Sequence, residues 1–359
     1  MQQETPATGA IDVLSEVLHV VRLSGVVHFR ADFTQPWAIL SSPPEMLAAR
    51  LVPGAESFTL FHIVVDGSCW VSCDRISPLK FDKGDVIVVP RGDQHVMTSE
   101  LGIDPVPIRQ IFLKPSVERV HYVEHGGGGA CSRFVCGYLH ADQRFGPLLE
   151  ALPVVMCVRQ REGSITLDSS GPDGTVTGPA IPADAARWWK MTLDYVVTEA
   201  TSPRPGNRVV LSRLAELLFM EVLRWYMQHM TEGQRGWLAG LNDPQVGRGL
   251  VLLHEEPARQ WTVEELARCV GISRALLARR FVELVGESPM HYLAGWRIHI
   301  AKRLLQDGQL GVGEIAGRVG YESEAAFNRA FHRLVGTPPA AWRRNRRPRA
   351  QGSGLGPQN

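Results

Sequence analysis

GYESEAAFNRAFHRLVGTPPAAWR, residues 320–343, is the stretch of this 359-residue chain that decides its architecture. Ser323 is placed to cap a helix, its hydroxyl accepting a bond from a free backbone N–H of the first turn. Glu324 puts negative charge where the helix dipole favours it. Phe327, Ala330, Phe331 and Leu334 recur at helical spacing as one apolar stripe, and Glu324, Ala325, Asn328 and Arg329 point the other way. Upstream, Val312, Ile315, Ala316 and Val319 predict a second short amphipathic helix. Gly320 follows it directly and can take the left-handed conformation that ends a helix and opens a tight turn. Helix, glycine turn and helix together make a helix-turn-helix.

The pattern occurs twice. Thr262 with Glu265 three residues on reads as a capping box, and Val263, Leu266, Ala267 and Val270 form the stripe. Gly271 breaks the helix and Ser273 caps the next. That next helix turns Leu276, Leu277 and Phe281 inward and leaves Arg274, Ala275, Ala278 and Arg279 facing out. Between the two copies, Met290 to Leu305 reads as a longer helix with Tyr292, Leu293, Trp296, Ile300 and Leu304 on one face. It is expected to hold the two reading helices at fixed separation. A single helix-turn-helix is often a packing unit with no nucleic acid involved; two copies within about 100 residues weaken that reading.

These residues, WTVEELARCVGISRALLARRFVELVGESPMHYLAGWRIHIAKRLL and IAGRVGYESEAAFNRAFHRLVGTPPAAWR, closely resemble the AraC/XylS transcription regulators over about 90 positions. The resemblance implies a bipartite domain whose two recognition helices enter successive major-groove segments of double-stranded DNA. By position, Arg274, Ala275, Ala278, Arg279, Glu324, Ala325, Asn328 and Arg329 match the groove-facing residues. Alanines at 275 and 278 leave the first helix to read through Arg274, Arg279 and apolar contact with thymine methyls. Partners implied are a promoter or operator, RNA polymerase and a second copy in a homodimer.

Charge supports this independently. Residues 258–350 hold 16 Lys+Arg against 8 Asp+Glu, whereas residues 1–257 hold 22 against 29, so the total of +1 conceals two opposed halves. Cationic side chains that neutralise phosphates release condensed counterions, and a polyanion is the simplest partner for the basic half. Arg343, Arg344, Arg346, Arg347 and Arg349 run on into residues 346–359, which read as a disordered basic tail.

The length predicts two or three domains, each able to bury a core. A hydrophobic content of 44% is that of a soluble globular protein. No run approaches the roughly 18 apolar residues of a membrane span. The amino-terminal residues lack a basic n-region with an uninterrupted apolar stretch, and six cysteines without small-scaffold spacing fit a reducing compartment, so a cytoplasmic protein with no membrane partner is expected.

The first 180 residues read as β-rich. Ser57–Val65, Trp70–Asp74 and Val86–Pro90 are short β-branched or aromatic runs punctuated by Gly67, Pro78 and Gly84. Gly84, Pro90, Gly92 and His95 match the spacing G-x5-P-x-G-x2-H, which resembles the second cupin motif, with the resemblance covering roughly residues 24–125. A metal-binding cupin also supplies His-x-His and an acid on an earlier strand. Here PGAESFTLFHIVVDG (53–67) puts Leu60 at the acid position and leaves only His62. His62 and His95 are therefore the candidate effector or metal pair, with His28, His121 or a cysteine as further donors. Which metal such a pair would select is not set by these residues, and no other cofactor is expected.

Cys69 and Cys73 lie about 13 Å apart on an extended strand, too far to bridge. Cys131 and Cys136, beside the Gly126–Gly129 run, are the better candidates for a thiol redox switch, and the glycine run reads as a turn near the effector cavity. Arg187–Thr198 and Val209–Met230 read as two amphipathic helices separated by TSPRPG (201–206). Their apolar stripe calls for cover from the barrel itself or from a dimer seam.

The fold expected is multidomain α+β. An N-terminal cupin-like β-barrel sensor (1–180) precedes a helical dimerisation segment (181–240), and an all-α double helix-turn-helix domain (241–345) ends in the basic tail (346–359). A linker around 239–257 joins the halves. The function expected is sequence-specific regulation of transcription, modulated by a small-molecule or redox effector. The competing readings are a metal-dependent cupin enzyme, a thiol redox sensor without a small ligand, and an architectural DNA binder without sequence preference.

Overall fold

The computed structural model describes residues 12–21, 23–52, 55–111, 120–141, 146–161, 164–171, 174–202, 204–230 and 236–346. They divide into two units. One runs Val21–Ala239; the other takes the chain from Gly240 together with the amino-terminal residues to Val20, and so most of helix α1 (Val13–Val21). Helix α1, with Val13, Leu14 and Val17 buried, thus groups with the carboxyl-terminal unit rather than with the sheets.

The first unit is built on two sheets. Strands β1 (Ser24–Thr34), β3 (Ser57–Asp66), β6 (Val86–Val89), β9 (His121–Gly126), β10 (Cys131–Ala141), β11 (Val155–Arg161), β12 (Ser164–Gly171) and β13 (Gly174–Ala180) form one, in the order β13-β12-β11-β6-β3-β10-β1-β9. Strands β2 (Ala38–Leu40), β4 (Ser68–Cys73), β5 (Ile76–Asp82), β7 (Val96–Thr98) and β8 (Val106–Pro107) form the other, ordered β5-β4-β7-β2-β8. Short helices α2 (Pro44–Arg50), α3 (Ile108–Ile111) and α4 (Gly146–Glu150) lie in the connections.

Period-2 alternation sorts the large sheet into two faces. Leu60, Val64, Ile87, Val89, Phe134, Cys136 and Tyr138 pack into the barrel core. Their neighbours Phe61, Ile63, Val86, Val88 and Leu139 face outward and meet Trp189, Val196, Leu218, Phe219 and Val222 of helices α5 (Ala183–Thr201) and α6 (Asn207–Gln228). The helical segment is therefore covered by its own barrel. Gly25 permits the close approach: a Cβ there would sit 2.8 Å from the Ser212 carbonyl oxygen, and its amide donates to Glu216 Oε1 at 3.1 Å. The face left outward carries Met191, Tyr195, Val209 and Leu217 as exposed apolar side chains.

The second unit is helical: α7 (Trp237–Asn242) leads into it, followed by α8 (Pro244–Glu255), α9 (Val263–Val270), α10 (Arg274–Val285), α11 (Pro289–Asp307), α12 (Val312–Arg318), α13 (Glu324–Val335) and α14 (Pro339–Arg346). The stretch expected to be a linker is instead helical. Asp243 caps α8 by accepting from the amides of Gln245 and Val246, and Val246, Leu250 and Leu253 are fully buried. Helix α11 serves both helix-turn-helix units. Its Tyr292 packs on Phe281 of α10, its Trp296 stacks on His254 of α8, and Ile298, Ala301 and Leu305 enter a second core with Ile315, Phe327, Phe331 and Trp342. Gly320 has φ +85°, and a Cβ there would lie 2.5 Å from the Ala258 carbonyl oxygen, so the turn between α12 and α13 admits only glycine without strain. The expected tail beyond residue 346 lies outside the described residues.

Candidate functional site

Two surfaces carry chemistry, one in each unit. In the helical unit, Ser273 Oγ accepts from the Leu276 amide at 3.2 Å and Ser323 Oγ from the Ala326 amide at 3.2 Å, which fixes where α10 and α13 begin. Leu277 and Phe281 anchor α10, and Phe327 and Phe331 anchor α13, all fully buried. Arg274, Ala275 and Arg279 are then exposed and Ala278 half-buried on α10. Glu324, Ala325 and Arg329 are exposed and Asn328 half-buried on α13. The two arginine sets differ. Arg274 Nη1 lies 2.8 Å from Glu264 Oε1 and Arg279 Nε 3.8 Å from Glu283 Oε1, whereas Arg329 has no ion-pair partner among the described residues. Thr262 caps α9 as the box pattern predicts, but the Glu265 carboxylate reaches Arg259 at 2.5 Å. Arg343 is taken into the fold, donating to the Leu310 carbonyl at 2.7 Å.

In the barrel, β3 and β10 pair so that His62 stands opposite Cys136, and His95 precedes β7. His62 Nε2 and His95 Nε2 are 2.9 Å apart, and His62 Nδ1 and Cys136 Sγ are 3.0 Å apart. The proton order follows from the far end. His95 Nδ1 faces the Asp93 carbonyl at 2.9 Å, which can only accept, so His95 Nδ1–H donates there and His95 Nε2 accepts from His62 Nε2–H. His62 Nδ1 in turn accepts from the Cys136 thiol. Burial pushes His62 well below the ordinary histidine range, helped by His95, and lowers His95 against the opposing pull of the Asp93 carbonyl. Burial likewise raises the Cys136 thiol well above its ordinary value, so both rings are neutral and the thiol is protonated at neutral pH.

Residues His28, Phe33, Leu60, Met97 and Tyr138 line a cavity of about 110 Å³ around this chain, with Arg50 of α2 and Arg109 of α3 also on its lining. His28 enters through an irregularity in β1: the register with β10 shifts between Val27 and Phe29. Burial, reinforced by His121, holds His28 at about 4.

A sequence profile described as Cupin matches residues 12–169 and 175–228, more than half of the chain, and one described as Helix-turn-helix domain matches residues 266–345. A putative AraC-like transcription regulator of Streptomyces lividans is 31% identical over 83% of this chain and 93% of its own length. The chain belongs to the AraC family of transcription regulators. A second putative AraC-like regulator, from Streptomyces antibioticus, is 29% identical over 94% of this chain and 100% of its own length. The crystal structure of the DNA-binding domain of AdpA, a global transcriptional factor, in complex with a target DNA is 37% identical over 30% of this chain and 98% of that one, with a TM-score of 0.28.

As an AraC-family regulator the chain pairs a cupin-like ligand-binding domain with a helix-turn-helix domain of the kind that binds DNA. Among the described residues the donor set of a metal cupin is not assembled. Leu60 lines the cavity where the acid would stand, Cys136 sits behind His62 on Nδ1 rather than converging with His95, and no group of three or more His, Cys, Asp or Glu residues converges among the described residues. Cys131 and Cys136 are not brought together either. They lie on one strand, about 16 Å apart by strand rise, Cys131 exposed and Cys136 buried. The glycine run 126–129 does not line the cavity; its amides are tied to Thr34 and Gln35. Sequence reasoning missed Glu264 and Glu283 as partners of the reading arginines, because an exposed glutamate carries no pattern that marks its partner. It also missed Tyr138, Arg50 and Arg109, which the fold alone gathers.

Proposed function

We propose that this AraC-family regulator reads a promoter sequence through α10 and α13, and that an effector held in the barrel cavity sets its affinity by favouring one arrangement of the DNA-binding halves. The observation that carries this reading is the pair of capped helices, each anchored by buried aromatic or aliphatic side chains and each turning a polar face outward, in the basic half of the chain. Arg274, Arg279, Asn328 and Arg329 supply the polar reading of base edges, and Ala275, Ala278 and Ala325 the contact with thymine methyls; Glu324 accepts from cytosine amino groups. The regulator acts in the cytoplasm as a homodimer joined through the apolar outward face of α5 and α6, engages RNA polymerase at the promoter, and is not an enzyme. Footprinting of the full-length protein upstream of its own gene and its neighbours tests this. A discrete protected site of two adjacent boxes is expected, while binding that random competitor DNA abolishes would refute it.

A further inference from the structure

Resting on the reading of the barrel cavity as the effector site, the lining identifies the class of effector. Apolar side chains dominate it, and among the described residues it contains no aspartate or glutamate. Its two arginines, Arg50 and Arg109, are exposed at the ends of short helices and have no ion-pair partner among the described residues. The interior imidazoles add no charge, since burial keeps His28 at about 4 and lowers His62 and His95. Among the described residues, every formal charge on the lining is therefore a guanidinium, a group that pairs with carboxylates through two parallel N–H bonds.

A second observation points to a bound polar head. Tyr138 is 2% exposed, lines the cavity, and its hydroxyl has no hydrogen-bond partner among the described residues. Buried hydroxyls are almost always satisfied, so this one calls for a partner, which a ligand atom in the cavity can supply. Burial raises it to about 12, so it donates rather than ionises. The volume bounds the apolar part: a dry cavity of about 150 Å³ takes a benzene ring, so about 110 Å³ takes roughly five carbons.

We propose that the cavity binds a short-chain or compact apolar monocarboxylic acid, its hydrocarbon body among Phe33, Leu60 and Met97 and its carboxylate held by Arg50, Arg109 and the Tyr138 hydroxyl. The His62–His95–Cys136 chain, with its hydrogen bonds internally satisfied, forms part of the wall that the body packs against.

Calorimetric titration of the full-length protein with hexanoate, hexanamide and hexylamine tests the head group at constant body. Hexanoate is expected to bind most tightly, hexanamide about tenfold more weakly, and hexylamine to give no binding heat. Arg50→Ala with Arg109→Ala should bring hexanoate down to the amide's affinity and leave the amide unchanged, a readout that misfolding would not produce. Equal affinity for all three heads overturns the carboxylate and leaves the cavity an effector site. Absence of heat from all three overturns the proposal; if filling the cavity with Leu60→Trp also leaves promoter output unaltered across growth conditions, the effector reading falls with it.

Discussion

Replacing Arg329 with alanine is expected to weaken operator binding by about 1–3 kcal/mol, or about five- to 150-fold in Kd, and to relax selectivity at one base pair. The magnitude follows from its surroundings. Arg329 is exposed on α13 and has no ion-pair partner among the described residues, so a guanine contact forms without breaking anything. Arg274 starts differently, because it must first leave Glu264 at 2.8 Å. Both side chains are more than half exposed, so that pair is worth about 0.2–1 kcal/mol. Arg274→Ala should therefore cost less than Arg329→Ala by about that amount, and Glu264→Gln should tighten binding by a similar margin. Fluorescence anisotropy on a duplex selected from a randomised pool, with each base pair substituted in turn and at two salt concentrations, measures all three variants. A loss at Arg329 that is uniform across every duplex, with the salt slope reduced by about one, would assign the side chain to phosphate. No loss at all would mean that α13 does not read the groove.

Gly320→Ala should destabilise the helical unit by about 2–4 kcal/mol in urea unfolding, since left-handed backbone alone costs about 1–2 kcal/mol and the new Cβ would sit 2.5 Å from the Ala258 carbonyl oxygen; a change under 1 kcal/mol would count against the placement of that turn. Arg159 is buried between Asp168, 2.9 Å from Nε, and Asp85, 3.4 Å from Nη1, so Arg159→Met strands two carboxylates and should cost about 3–5 kcal/mol. The buried histidines predict an acid-side loss of stability. His28 falls from 6.5 to about 4 on folding, so the unfolded chain takes the proton first, and stability that is full above pH 6.5 drains as pH falls towards 4. For His28 alone this amounts to about 3 kcal/mol, and His28→Gln should flatten the slope of midpoint against pH; an unchanged slope would show that this ring does not resist its proton.

The helical half was legible because its signals are local. Ser273 and Ser323 announce helix starts within three residues, Gly271 and Gly320 announce the turns, and Phe327 and Phe331 recur at the helical period. Residues 239–257, expected to be a linker, instead build a packed helix, capped by Asp243 and buried through Val246, Leu250 and Leu253. The barrel gave up its strands and the His62–His95 pair, since period-2 alternation and a fixed motif spacing are again local. It did not give up the role of Cys136, which comes from antiparallel register between strands 74 residues apart. The positions of Arg50, Arg109 and Tyr138 around one cavity are likewise a product of strand order, and no spacing in the chain encodes it.

Helix α11 belongs to two cores at once, and that has a consequence for the operator. Tyr292, packed on Phe281 of α10, and Ala301 of the second core are separated by about 13.5 Å of α-helical rise with no joint between them. One base pair inserted between the two boxes would turn the second by about 35° around the duplex axis. On the proposed two-box reading, a protein whose two heads grow from a single stiff axle has no means of following that turn, so its promoters are expected to keep the phase of their boxes even where the intervening bases drift.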